Sequence, residues 1–335
     1  MSDNTNNLPV FSGPYCELIP QYISYKRAQG YKFYSPIVYR LREMDLFFKE
    51  MGITETIITR EMYEAWTRPT PSEKETTTQK RRSAIIGFSK YLVTKGCENI
   101  YTGYDDCRTF KSDFIPYIFS IDEILQMFKV LSNTCKLNPT YENETFRLIM
   151  MMYYCCGFRK SEVLKLRVRD IDTASGKVTV LNGKNDVSRI VVVSDSLLSL
   201  IQDYHRKYLK NALPDDFFVH GIKSNSYCHA VLYQKFHQLL DHAGIPTRSD
   251  GGRQRIHDVR HTFCVRALEM MEEKGFDLYT SLPLLSTYLG HKHLTETEYY
   301  LRMLEDHFGN VLEKTTSYCP GLFPKDMESG VENEI

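Results

Sequence analysis

Along most of this chain the apolar residues recur at intervals of three and four, the spacing that lines one face of an α-helix. The first clear stripe is Ile37, Leu41, Met44, Phe48 and Met51; Ser35 stands as its N-cap, Pro36 takes the first helical position and Gly52 ends it. Thr59 opens a short helix through Trp66, a proline-bearing break covers residues 68–71, and a longer helix is expected over 76–95, closed by Gly96. Residues 99–119 lose the period and carry Gly103, Asp105, Asp106 and Pro116, the marks of an extended linker. A new unit starts sharply at Ser120, which forms a capping box with Glu123. Ile121, Ile124, Leu125, Phe128 and Leu131 are the expected buried stripe of the helix it opens, and a further helix over 141–156 stops at Gly157.

Beyond the next short helix the period changes. Residues 168–171, 177–181 and 189–193 are three β-rich runs separated by turn residues at 173–176 and 182–186, which predicts a three-stranded antiparallel sheet. Helical spacing returns over 197–209, 230–243 and 257–274 and in shorter pieces to about residue 312; the tail from Phe323 is mostly acidic and short. The fold class expected is therefore mainly α with a small three-stranded antiparallel sheet (α+β), in two domains.

Composition narrows the function classes. With 42% hydrophobic and 25% charged residues over 335, the chain is that of a globular protein. Residues 1–7 are polar, with Asp3, and resemble no signal peptide; the longest apolar run, 148–156, is far short of the roughly 20 residues a spanning helix needs. These features predict a cytoplasmic protein with no membrane partner. The nine cysteines include no CxxC pair, and Cys155 and Cys156 read as small hydrophobes inside a helix, so neither a disulfide framework nor a zinc knuckle is expected. Net charge is zero, and a polyanionic partner must be read from local distribution. One stretch is one-signed: residues 76–97 hold no acid but carry Lys80, Arg81, Arg82, Lys90 and Lys95, which suits DNA phosphates and equally suits a solvated helix face.

Four separated patches carry residues unusual for a plain helical core. Arg159 follows the Gly157 stop and opens the next helix, with Glu162 one turn on, either as an anion-facing group or as a surface ion pair. Lys184 falls at a hairpin tip, where a lysine is ordinarily just solvated. His257 and Arg260 lie three apart at a helix start; His257 and His261 have the spacing of a helical zinc pair, but an HExxH site needs Glu where Asp258 stands. Finally, His291 follows Leu289 and Gly290, and Tyr300 comes nine residues later with Tyr299 beside it, in a chain of 23 tyrosines.

Taken in order, Arg159, Lys184, His257 with Arg260, His291 and Tyr300 resemble the tyrosine recombinase (phage integrase) family, whose signature is an arginine, a hairpin lysine, HxxR, a histidine or tryptophan after LG and a tyrosine nucleophile. Glu162 matches the family's acidic residue three after the first arginine. The match runs from Tyr117 to about Leu312; residues 14–98 resemble, less specifically, the family's helical core-binding domain. One departure is the 31-residue interval from Arg260 to His291, with 279–287 as extra material of a form seen in transposon-borne recombinases.

The resemblance implies a two-domain DNA clamp. It comprises an N-terminus over 1–13, a core-binding domain over 14–98, a linker over 99–116, a catalytic domain over 117–315 and a tail over 316–335. It implies a site-specific recombinase acting on double-stranded DNA sites without metal, ATP or other cofactor, as a homotetramer on two duplexes. Accessory recombinases or directionality factors are further possible partners. In that reading Arg159 and Arg260 offer planar forks to the nonbridging phosphate oxygens and His291 adds a hydrogen bond. A tyrosine hydroxyl with a pKa of about 10 needs a proton acceptor, a task given to His257. Lys184 protonates the leaving 5′ oxygen and Tyr300 becomes a 3′-phosphotyrosine. Lys80, Arg81, Arg82 and Lys90 are the candidate DNA contacts. A type IB topoisomerase-like enzyme and a non-catalytic DNA-bound regulator are the alternatives.

Overall fold

The computed structural model of the protein describes residues 8–31, 33, 35–71, 73–103, 115–181, 188–222 and 226–301. The chain divides into two compact units at Phe114/Ile115.

The first unit is helical: α1 (Leu18–Ala28), α2 (Ser35–Glu50), α3 (Arg60–Thr67) and α4 (Glu75–Thr94). In α2 the expected stripe packs inward through Leu41, Met44 and Phe48, while Met51, past the last turn, is exposed. Thr59 caps α3 by accepting from the Met62 N–H at 3.3 Å. One buried carboxylate organises the entry to the unit: Asp45 on α2 accepts from the backbone N–H groups of Ser12, Gly13 and Tyr15 at 3.1, 2.7 and 2.9 Å. Those donors precede α1 and would otherwise be orphaned, so a charge in the middle of an apolar helix stripe here serves backbone satisfaction.

The second unit is built from eight helices and the small sheet among the described residues. Its helices are α5 (Ile121–Leu137), α6 (Tyr141–Cys156), the single turn α7 (Lys160–Val163), α8 (Asp195–Tyr208), α9 (His229–His242), α10 (Ile256–Glu273), α11 (Leu278–Leu289) and α12 (Thr295–Leu301). The Ser120–Glu123 capping box is present, but α5 is rotated from the expected stripe. Ile124, Met127, Leu131 and Cys135 are buried, Phe128 is half-buried, and Ile121 and Leu125 are 58% and 59% exposed. The face that meets α6 and α9 follows i, i+3, i+7 and i+11, and Leu125, 100° from Ile124, falls outside it.

The sheet is antiparallel in the order β1 (Ile171–Asp172), β2 (Lys177–Val180), β3 (Arg189–Val192). The first β-rich run is only partly strand: Val168–Asp170 forms a 3-10 turn because Asp170 turns back to accept from the Arg167 N–H at 2.8 Å. In β3 the alternation sends Arg189 and Val191 inward and leaves Ile190 and Val192 exposed. Main-core packing joins α5, α6, α8, α9 and the sheet. A separate apolar cluster gathers Cys264, Val265 and Leu268 of α10, Leu282, Leu285 and Leu289 of α11, and Tyr300 of α12. The extra residues of the 260–291 interval thus build α11, whose i, i+3, i+7 leucines form a floor beneath the tyrosine.

Candidate active site

Two glycines shape the ground on which the site stands. Gly157 ends α6 in the left-handed region (φ +59°), and a Cβ there would lie 2.3 Å from the Phe263 ring. Gly290 ends α11 likewise (φ +65°), where a Cβ would meet the Arg189 guanidinium at 2.9 Å. The turns they allow bring Arg159 and His291 towards α10 from opposite ends of the sequence.

Three arginines converge on the end of α11. Arg189 Nε donates to the Tyr288 carbonyl at 2.7 Å, Arg260 Nη2 to the Leu289 carbonyl at 2.9 Å, and Arg159 Nη2 to the Gly290 carbonyl at 3.0 Å. The last carbonyls of a helix lack intrahelical partners and carry its negative dipole end, so cations are held well there. Three consecutive carbonyls are therefore satisfied by three separate segments of sequence, and each guanidinium has a backbone anchor.

Glu162 is the counter-ion. It accepts from Arg189 Nη1 and Nη2 at 2.9 Å each, from Arg159 Nη1 at 2.9 Å and from the Arg159 backbone N–H at 2.8 Å. Burial pushes its carboxyl pKa up, but the hydrogen bonds and charge of Arg189, and then of Arg159, hold it at about 2. The backbone N–H of Arg159 is thereby occupied, and Arg159 is left to act through its side chain.

Arg260 is 2% exposed. It donates to the Gly157 carbonyl through Nη1 and reaches His291 Nε2 at 3.0 Å through Nη2. A guanidinium only donates, so His291 Nε2 must be the accepting nitrogen and Nδ1 carries the proton. Nδ1 lies 2.8 Å from the hydroxyl of Thr297, which is buried and receives that proton as an acceptor.

Tyr300 lies in the apolar cluster, 3% exposed, with its ring parallel to His291 (centroids 6.4 Å, 14°). Its hydroxyl meets His261 Nδ1 at 3.0 Å. His257 sits one turn back on α10, exposed, with its ring edge-on to His261 at 4.7 Å. Burial, with the Cys264 thiol beside it, raises the Tyr300 pKa against the pull of Arg260. Partial burial and the charges of Arg255 and Arg260 lower His261 to about 4, leaving it neutral in the physiological range. Tyr299 is half-buried on the same cluster and touches the Tyr300 ring at 6.0 Å. It is the Tyr300 hydroxyl that reaches His261 at 3.0 Å.

The structure therefore groups Arg159, Glu162, Arg260, His291 and Tyr300 at one place, with His257 one ring removed. Lys184 lies outside the described residues. Arg189, His261 and Thr297 were not singled out for these roles by sequence. Arg189 carried a signal all the same, since strand alternation points it inward, where an arginine requires a buried acid. In the first unit, Lys80 and Lys90 are exposed. Arg81 is committed elsewhere: it donates to the Trp66 and Arg68 carbonyls at 2.9 Å each, pairs with Glu73 and lies over the Trp66 ring. Arg82 is half-buried.

Residues 119–307, more than half of the chain and the whole of this arrangement, match the phage integrase family. The chain belongs to that family. Curated relatives include the tyrosine recombinase XerA of Saccharolobus solfataricus, 31% identical over 198 residues that cover 59% of this chain and 57% of that protein. Another is the tyrosine recombinase XerD of Rickettsia prowazekii, 27% identical over 214 residues covering 59% and 62%. The chain thus spans about six-tenths of the length of these family members. Among solved structures, XerH site-specific recombinase in a post-cleavage complex with palindromic difH substrate superposes with a TM-score of 0.61 at 18% identity, over 87% of this chain and 82% of that one. That likeness establishes the fold. No helix among the described residues is long and apolar enough to cross a membrane.

Proposed function

We propose that this protein is a site-specific DNA recombinase that cuts and rejoins strands through a 3′-phosphotyrosine at Tyr300. The observation that carries this reading is that Arg159, Arg260, His291 and Tyr300, distant in sequence, form one site within the segment matching the integrase family. A phosphodiester under attack gains charge on its nonbridging oxygens, and guanidiniums already fixed to backbone carbonyls stabilise that charge without reorganising. Arg159 and Arg260 supply these forks, and Glu162 with Arg189 keeps Arg159 aimed. Lys184 is assigned by family resemblance to protonate the leaving 5′ oxygen. The phosphotyrosine keeps the phosphodiester's energy, so a 5′ hydroxyl from another strand rejoins the DNA without ATP.

Residues 14–98 are assigned to DNA contact as a core-binding domain, with Lys80 and Lys90 on the exposed side of α4, and residues 117–315 to the chemistry. The partner is double-stranded DNA; a homotetramer on two duplexes, accessory recombinases or directionality factors, and a cytoplasmic location extend the same reading. Denaturing capture of protein–DNA adducts from cells, followed by sequencing of the attached strand ends, tests it. Wild-type protein is expected to yield adducts at one recurrent sequence and Tyr300→Phe none. Adducts of unchanged yield from Tyr300→Phe overturn the proposal.

A further inference from the structure

We infer that His261 is the proton acceptor of the Tyr300 nucleophile, receiving the phenolic proton on Nδ1 as strand cleavage begins. The inference rests on the recombinase reading above. Its basis is contact: His261 Nδ1 is 3.0 Å from the Tyr300 oxygen, within the reach a general base requires. His257, the histidine of the HxxR motif, meets the His261 ring edge-on at 4.7 Å, and the histidine hydrogen-bonded to the Tyr300 oxygen is His261. His291, the other ring beside Tyr300, stacks on its face and has both nitrogens engaged, Nε2 by Arg260 and Nδ1 by Thr297.

The protonation states agree with the geometry. Tyr300 is buried and its hydroxyl is held in the neutral form, so no standing phenolate exists in the DNA-free protein and the proton must leave as attack occurs. His261 is neutral beside the guanidiniums of Arg255 and Arg260, and a neutral imidazole with its proton on Nε2 has the Nδ1 lone pair to offer. Burial is the main reason His261 is unprotonated, with the charges of Arg255 and Arg260 adding to it; a phosphodiester brings negative charge to Arg260 and offsets that added part. In the step, the Tyr300 O–H bond breaks with its proton passing to His261 Nδ1. The phenolic oxygen forms the bond to phosphorus, the bond from phosphorus to the 5′ oxygen breaks, and that oxygen leaves with a proton from the general acid. Rejoining runs in reverse: a 5′ hydroxyl gives its proton back to the general acid and forms the bond to phosphorus, the bond from phosphorus to the Tyr300 oxygen breaks, and His261 returns the proton to that oxygen.

The test uses the full-length protein and a nicked duplex carrying the sequence recovered by adduct capture, with covalent complex followed in single turnover. Asparagine keeps an acceptor atom near the Nδ1 position but cannot take a proton, so His261→Asn separates positioning from proton transfer; His261→Ala is the second variant. Both are expected to lower the cleavage rate by about 100-fold, within the range of general-base catalysis, with DNA binding retained. Replacing Tyr300 with 3,5-difluorotyrosine, a more acidic phenol, is expected to recover tenfold or more of that loss in His261→Asn, and to help His257→Asn less. A wild-type rate for His261→Asn, or rescue of His257→Asn but not of His261→Asn, overturns the assignment. Tyr300→Phe run in parallel keeps the two questions apart: adduct from that variant removes the recombinase reading itself, whereas its absence together with a normal His261→Asn rate removes only the inference.

Discussion

Arg189 grips Glu162 with both terminal nitrogens, each 2.9 Å from a carboxylate oxygen, and both side chains are almost wholly buried. The pair joins β3 to the turn after α6, and Glu162 passes the constraint to Arg159. Removing one partner of a buried ion pair strands the other charge, which costs about 3–5 kcal/mol. Arg189→Ala is therefore expected to destabilise the protein by that amount in chemical denaturation. Arg189→Lys, which keeps charge but loses the fork, should fold better yet lower single-turnover cleavage because Arg159 is no longer aimed. Equal cleavage by Arg189→Lys and wild type would show that Arg159 needs no such support.

The same carboxylate sets a pH dependence. In the folded protein Glu162 titrates at about 2, below its ordinary 4.5. A group depressed by folding contributes stability above its unfolded pKa and loses it as pH falls through the folded value. The contribution, on the order of 3 kcal/mol, is then complete above about pH 5 and fades towards pH 2. Comparing denaturation of wild type and Glu162→Gln between pH 7 and 3 checks this: the stability difference should shrink on acidification. A constant difference would mean that the charge of Glu162 does not carry it.

Much of this arrangement was legible in the chain because it depends on local rules. The glycine stop at Gly157, the Ser120 capping box and the change of period around 168–193 each declare themselves within a few residues. The ordered set from Arg159 to Tyr300 is likewise a linear signal. What spacing could not convey is orientation about a helix axis. Ile121 and Leu125 look as apolar as Met127 and Cys135, and only packing against α6 and α9 decides which face is covered. His257 and His261 are one turn apart on α10, and which of them meets Tyr300 depends on where α12 crosses it, a tertiary fact. Arg81 shows the limit of charge counting, since a residue inside a basic stripe is spent on the carbonyls of Trp66 and Arg68.

Gly290 and Thr297 hold His291 from two sides, and each can be removed separately. Gly290→Ala places a Cβ at positive φ against the Arg189 guanidinium, a combination expected to cost about 1–3 kcal/mol of stability and to displace His291. Thr297→Val keeps the volume but leaves His291 Nδ1 without this acceptor, so the proton can move to Nε2, where it opposes Arg260. A lost hydrogen bond of about 1–1.5 kcal/mol corresponds to roughly tenfold in rate. Thr297→Val should therefore cleave about tenfold slower and melt a few degrees lower. An unaltered rate would mean that the tautomer of His291 is set by something other than Thr297.

The basic stripe of α4 divides into two kinds of residue, and salt separates them. Lys80 is exposed, and if it meets a phosphate its removal should release one fewer counterion. Lys80→Ala is thus expected to weaken DNA binding across all sequences and to lower the slope of log affinity against log salt by roughly 1. Arg81 donates to two carbonyls and pairs with Glu73 beside Trp66, so Arg81→Ala should lower the stability of the first unit by about 1–3 kcal/mol and leave the salt slope unchanged. The two measurements, a salt titration of DNA affinity and a thermal melt, give opposite patterns for the two variants. A reduced salt slope for Arg81→Ala with an unchanged melt would mean that its guanidinium exchanges the carbonyls of α3 and the following loop for DNA.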